Sequence, residues 1–175
     1  MRILIAYASK HGATGGIAER LGHRLADRGH HVEVVPVWST GDLREFDAFV
    51  VGSATYLGHW RREATDWVRR HHVVLADHPV FFFSSGPLGG DRTDASGRDL
   101  RTVSEPREMP ELVAAVHPRD HHVFFGRLDP EALTAPERLI RRTPAGHQML
   151  PSGDFRDWAD VDEWAALIDD QLVPA

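Results

Sequence analysis

The sequence predicts an α/β fold: a three-layer sandwich built on a five-stranded parallel sheet of strand order 2-1-3-4-5. Three observations carry this expectation. Short, continuous apolar runs recur along the chain, and segments of helical periodicity separate them. The second run contains a proline, which cannot donate to a ladder and therefore places that strand at a sheet edge. The composition, 42% hydrophobic and 26% charged, is that of an ordinary globular chain, so one domain is expected over residues 1–175.

The elements follow in order. Arg2–Ala8 (RILIAYA) reads as a strand buried on both faces. In Ala13–Arg28, Ile17, Leu21 and Leu25 recur every fourth residue and Gly29 closes the pattern, which predicts an amphipathic helix. His31–Val37 alternates and holds Pro36, the edge-strand proline. Asp47–Ser53 (DAFVVGS) is the third strand, Trp60–Leu75 the next helix and Pro79–Ser85 (PVFFFSS) the fourth strand. A polar loop, Gly86–Glu105, leads to a helix over Glu108–Val116 and a fifth strand over His121–Gly126. Arg127–Asp154 reads as irregular with one helix near Pro136–Arg142, and Trp158–Leu172 as a last helix with Trp164, Leu167 and Ile168 on its apolar face.

Composition removes several kinds of chemistry. The chain has no cysteine, which excludes disulfides, thiol nucleophiles, iron–sulfur clusters and cysteine-ligated zinc. Any redox role must then rest on a bound organic cofactor. The net charge of −6 argues against nucleic acid as a partner. No stretch is long and apolar enough to span a bilayer and the short apolar start is no signal peptide, so a cytoplasmic protein without an integral membrane segment is expected. G-x-x-x-x-G-K-[ST], G-x-G-x-x-G and G-x-S-x-G are all absent, which argues against nucleoside triphosphate hydrolysis, a dinucleotide fold and a serine hydrolase. A response-regulator receiver needs an acidic pair after the first strand, where this chain has Ser9-Lys10-His11. Doublets such as His121-His122 sit on a strand with side chains on opposite faces, so no metal site is expected.

In a sheet of this order, ligands bind beyond the carboxyl ends of the strands at the switch point. Three loops stand there. In Ser9-Lys10-His11-Gly12-Ala13-Thr14-Gly15-Gly16, small residues let the backbone approach a ligand, the helix start favours an anion, and Lys10 is the only lysine of the chain. Read alone, this loop suits a phosphate or a plain glycine-rich turn. In Ala54-Thr55-Tyr56-Leu57-Gly58-His59-Trp60, Tyr56 and Leu57 are expected to contact a planar heterocycle, whereas Trp60 is expected to begin a helix and pack into the core. Ser84-Ser85-Gly86-Pro87-Leu88-Gly89-Gly90 has backbone groups free to meet a ring edge, or is an ordinary long loop.

Together the three loops resemble the flavodoxin family over essentially the whole chain. The family's T-x-T-G-x-T phosphate loop is matched by Ser9, Gly12 and Thr14, with His11 in place of the middle threonine. The resemblance implies a flavodoxin-like fold and non-covalent FMN. Its phosphate would lie on Ser9, Lys10, His11, Gly12, Ala13 and Thr14. Its ring would lie between Ala54, Thr55, Tyr56, Leu57, Gly58 and His59 on one side and Ser85, Gly86, Pro87 and Leu88 on the other. By the same likeness the Gly58 carbonyl would accept a hydrogen bond from the flavin N5, with His59 beside it as a proton shuttle or a surface residue.

A finer likeness is to the flavodoxin-like menaquinone-dependent protoporphyrinogen dehydrogenases. Val51–Trp60 is similar to that group's G-[AS]-x-x-x-x-G-H-[YW] loop, Trp67-Val68-Arg69-Arg70-His71 to its next element, and Phe155-Arg156-Asp157-Trp158 to the start of its last helix. The chain departs from the group after the fifth strand, where Leu139-Ile140-Arg141-Arg142 is the only cationic amphipathic fragment. The implied function is an FMN-binding electron carrier or small oxidoreductase; the alternative is a binding module that keeps the fold without flavin chemistry. A redox protein or a quinone- or porphyrin-type molecule would be the partner, and Arg61, Arg62, Arg69 and Arg70 suggest a basic docking face. No catalytic side chain is assigned.

Overall fold

The computed structural model describes residues 1–173, apart from the side chains of residues 148 and 149. The last two positions of the expected domain lie outside the described residues.

The chain opens with β1 (Arg2–Ala8), α1 (Ala13–Asp27), β2 (His31–Pro36) and β3 (Ala48–Tyr56). A two-residue strand, β4 (His59–Trp60), precedes α2 (Arg62–Ala76) and β5 (Val80–Ser85). Then come α3 (Leu100–Val103), α4 (Met109–Val116), β6 (Asp120–Phe124) and β7 (Arg127–Leu128). The chain finishes with α5 (Ala135–Arg141), α6 (Pro144–Met149), β8 (Gly153–Asp154) and α7 (Trp158–Leu172). The sheet order is β2-β1-β3-β5-β6, all parallel, with β4 antiparallel to the end of β3. This is the predicted 2-1-3-4-5 order, and Pro36 ends the edge strand opposite Tyr7.

Strand alternation sends neighbouring side chains of β1 to opposite faces. Leu4 and Ala6 join Phe49, Val51 and Phe82 under α2 and α4, whereas Ile3 and Ile5 join Val50, Phe81 and Phe83 under α1 and α7. That two-sided burial is why β1 reads as a continuous apolar run. Asp162 of α7 is gripped by Arg20 at 2.7 and 2.8 Å and by Arg24 at 2.9 Å, and their hydrogen bonds hold its carboxyl well below the usual range.

Three expectations need correction. The third strand runs on to Tyr56 and turns back over Leu57 (φ 50°) and Gly58 (φ 77°), so Trp60 lies in a hairpin and the helix starts later. Trp60 is nevertheless in the core, its indole nitrogen donating to Ser84 Oγ at 2.7 Å. Residues 127–154 carry two helices and are closed at their base by β7 pairing with β8. Leu167 is exposed; the buried face of α7 is Val161, Trp164, Ala165, Ile168 and Leu172.

Candidate cofactor site

The first loop crosses from β1 to α1 through Gly12 at φ 81°, a left-handed turn in which the absence of Cβ avoids strain. Ser9 Oγ accepts from the Gly12 amide at 3.0 Å, which folds the loop onto itself. No acidic side chain stands in the first turn of α1 and no side chain caps it, so its leading amides are free for an anion. Lys10 donates to Glu137 on α5, and His11 Nε2 lies 3.5 Å from the same carboxylate. Lys10 also stands 5.3 Å from the centre of the Tyr56 ring.

The second loop is held from behind. The Gly58 carbonyl, expected to meet a flavin N5, accepts from the Arg107 amide at 2.9 Å. His59 Nδ1 lies 2.5 Å from Glu108, whose other oxygen accepts from the Trp60 amide at 3.2 Å. Burial pushes the Glu108 carboxyl up, but these hydrogen bonds prevail and its pKa is lowered. Tyr56 is half-buried, and its hydroxyl is pushed up to about 12, first by burial and then by the charge of Glu137. The third loop is fixed to the end of β6: Gly86 N donates to the Phe124 carbonyl at 3.1 Å and Gly126 N to the Pro87 carbonyl at 2.9 Å. Gly86 approaches Thr55 so closely that a Cβ would lie 3.1 Å from the threonine Cβ.

The three loops enclose a cleft of about 330 Å³. Ser9, His11, Ala13 and Thr14 line one end. Ala54, Thr55, Tyr56 and Leu57 face Ser85, Gly86 and Leu88 along the rest. Lys10, Gly12, Gly58, His59 and Pro87 are outside the lining: Lys10 is turned to Glu137 and His59 to Glu108. Leu57, at 84% exposure, forms an apolar lip. The sequence reading missed Gly126, just beyond the end of β6, and Arg127, Leu128 and Leu150 of the 127–154 excursion, which close the cleft from that side. Gly126 stands at the end of the fifth apolar run, two residues past the end of β6, a signal that a fourth strand-end loop belonged to the set; Leu150 carries no sequence signal.

The polar chemistry of the cleft is incomplete. Among the described residues, four buried side-chain polar atoms have no hydrogen-bond partner: His11 Nε2, Thr14 Oγ1, Thr55 Oγ1 and Arg61 Nε. All but the last belong to residues that line the cleft. An unpartnered buried polar group costs about 1–3 kcal/mol, so such atoms are rarely left without a purpose. Two lie at the loop expected to cradle a phosphate and one between the loops expected to hold a ring, so the residues present fit a phosphorylated ring cofactor.

Other expected features resolve structurally. His121 bonds to Ser84 at 2.9 Å and His122 to Asp160 at 3.1 Å, on opposite faces of β6. The arginine-rich face of α2 is neutralised: Arg61 pairs with Glu63, Arg62 with Asp66 at 3.3 Å and Arg69 with Glu111 at 2.8 Å. The expected basic docking face is therefore an ion-pair lattice, in which Arg70 has no acidic partner among the described residues.

Comparison with known proteins agrees with this fold. Residues 4–146 match the flavodoxin domain family, and the chain belongs to that family. Flavodoxins are FMN-binding flavoproteins that carry electrons. Among solved structures the chain is similar to a flavodoxin from the domain Archaea, with a TM-score of 0.61 at 15% identity over 98% of this chain and 99% of that one. It is similar to oxidised flavodoxin 1 from Bacillus cereus, with a TM-score of 0.62 at 11% identity over 99% and 100%. It also matches rubredoxin oxygen:oxidoreductase from Desulfovibrio gigas, with a TM-score of 0.58 at 14% identity over 99% of this chain and 37% of that chain. At these identities the likenesses speak for the fold. No curated protein matches. No helix among the described residues is long and apolar enough to cross a membrane.

Proposed function

We propose that the cleft between the ends of β1, β3, β5 and β6 binds FMN and that the chain exchanges electrons with its partner there. The observation that carries this is the clustering of unpartnered buried polar atoms on the cleft. The α1 amides, Thr14 and His11 hold the phosphate, with Ser9 shaping the loop. Tyr56, Leu57 and Leu88 provide apolar contact for the ring, Thr55 offers its hydroxyl, and the backbone of 85–88 meets the ring edge. Bound there, FMN supplies one- and two-electron redox chemistry. Leu128 and Leu150 restrict water from one side, and the exposed Leu57 lip leaves an edge open to a partner.

A protoporphyrinogen dehydrogenase-like oxidoreductase is the finer reading. It draws on the Val51–Trp60 loop and on α5, which presents exposed Leu139 and Ile140 between Arg138 and Arg142. The other motif residues serve the fold: Trp67 packs in the core beside His71, and Asp157 caps α7 through the Ala159 and Asp160 amides. A quinone- or porphyrin-type molecule suits that apolar, cationic rim better than the ion-paired face of α2 does.

The test is the visible spectrum of the purified protein, before and after addition of FMN. Flavin bands that stay with the protein through gel filtration are expected. A colourless protein that ignores added FMN overturns the reading and favours a flavin-free binding module. Anaerobic oxidation of protoporphyrinogen by the flavin-loaded protein, with a quinone as acceptor, tests the finer assignment; no turnover removes it and leaves the electron carrier.

A further inference from the structure

The phosphate loop is already engaged by an anion of the protein's own. Glu137, from the first turn of α5, receives the Lys10 ammonium on Oε1, and His11 Nε2 lies 3.5 Å from Oε2. These are the two basic side chains of the loop, and Lys10 is the only lysine of the chain.

Glu137 is anchored independently of them. Its Oε2 accepts from the Thr134 amide at 2.8 Å and from the Thr134 hydroxyl at 2.7 Å, forming a capping box that fixes the start of α5. Burial pushes its carboxyl up, but the hydrogen bonds from Lys10 and Thr134 outweigh this and bring it to about 2. It is therefore ionised throughout the neutral range.

His11 Nε2 is buried and close to Glu137, yet its geometry makes no hydrogen bond. Together with the Thr14 hydroxyl, it remains open to a ligand in the cleft.

We propose that Glu137 is a specificity-determining residue: a resident carboxylate that competes with the cofactor's phosphate for Lys10 and His11, and so narrows the protein's preference for a phosphorylated over an unphosphorylated flavin. This rests on the FMN reading above. A phosphate monoester carries about −1.5 to −2 charges near neutral pH. Seated on the loop, it draws on the same two bases as Glu137 and is repelled by that carboxylate, whose side chain is only 18% exposed and therefore incompletely screened by water. Riboflavin, which has the same ring and no phosphate, meets no such repulsion.

The experiment is titration of flavin-free protein with FMN and, separately, with riboflavin, followed by quenching of flavin fluorescence, for wild type and Glu137→Gln. Glutamine keeps an oxygen to accept from Thr134, so α5 retains its cap while the charge is lost. The expected result is FMN binding about tenfold tighter in the variant and riboflavin binding unchanged. The FMN gain should shrink as salt is raised, because screening weakens the repulsion that the variant removes. Equal changes for both flavins would make Glu137 an anchor of the cleft wall only and overturn the proposal. Weaker FMN binding with riboflavin unchanged would overturn it too, because Glu137 would then be orienting Lys10 toward the phosphate. A wild type that binds neither flavin overturns the FMN reading itself, and the proposal with it.

Discussion

Thr14 is wholly buried, yet its hydroxyl is one of four buried side-chain polar atoms without a hydrogen-bond partner among the described residues. Such a group destabilises the ligand-free fold and strengthens binding of an anion. Thr14→Val, close in shape and without the hydroxyl, is expected to raise the unfolding free energy of the flavin-free protein by about 1 kcal/mol. The same change should weaken FMN binding by about 1.5–3 kcal/mol, roughly ten- to a hundredfold, since a hydrogen bond to a charged acceptor is lost. Thermal melts and a flavin titration on one preparation read both signs. At this scale the sequence was informative wherever a residue's role is local. Ser9, Thr14 and Tyr56 stand in loops whose composition points to a ligand, and they line the cleft. Lys10 was legible as a cation at the loop but not as the partner of Glu137, which lies 127 positions away. An ion pair between distant loops leaves no periodicity to read.

At the scale of elements, close approach of β3 to β5 sets the floor of the site. Gly52 pairs with Phe83 across these strands, and a Cβ on Gly52 would run into the Phe83 ring. Gly52→Ala is expected to cost about 1–3 kcal/mol by overpacking, measured by denaturant unfolding with an unchanged m-value. A variant as stable as wild type would show that Phe83 can turn aside without loss. The long elements were legible because burial imposes a period on them: β1 is apolar throughout because both its faces are covered, and α1 repeats every fourth residue because one face is. The two-residue strands β4, β7 and β8 were not, since alternation cannot be recognised in a pair of residues. That is why the sequence carries the hairpin of β3 and β4 straight into a helix, and why it leaves the fourth wall of the cleft unmarked.

At the scale of the whole molecule, the acidic surplus is organised rather than spread. Asp162 under Arg20 and Arg24, Glu137 under Lys10 and Thr134, and Asp94 under the backbone and side chain of Arg98 all have lowered carboxyl pKa values, near 2 for the last two. Each carboxyl is harder to protonate folded than unfolded. The unfolded chain therefore binds more protons as pH falls through the ordinary carboxylate range near 4, and stability rises with pH across that window. Burial also lowers the pKa of His71 and His121, so the melting temperature is expected to decline gently as pH falls below about 6.5 and steeply between about pH 4 and pH 2. Asp162→Asn should melt below wild type near neutrality, and the two curves should converge at the acid end. A constant gap at every pH would mean that charge at Asp162 contributes nothing.

The short ladder between β7 and β8 sets Arg127 opposite Asp154 and Leu128 opposite Gly153, so the chain leaves and rejoins the sandwich at adjacent points. Topologically, everything between is a detour whose two ends are already tied together. The entropy of closing such a detour grows only with the logarithm of its length. The fold can therefore tolerate many lengths and compositions in the wall that covers the cleft without redesign of the sheet below. Replacing residues 130–151 with a short glycine–serine turn should cost only the helical circular dichroism signal of α5 and α6, with cooperative unfolding of the sandwich retained, while FMN exchanges faster through the opened side. In that sense the excursion is an exchangeable part, and partner choice can diverge among proteins that share the same flavin platform.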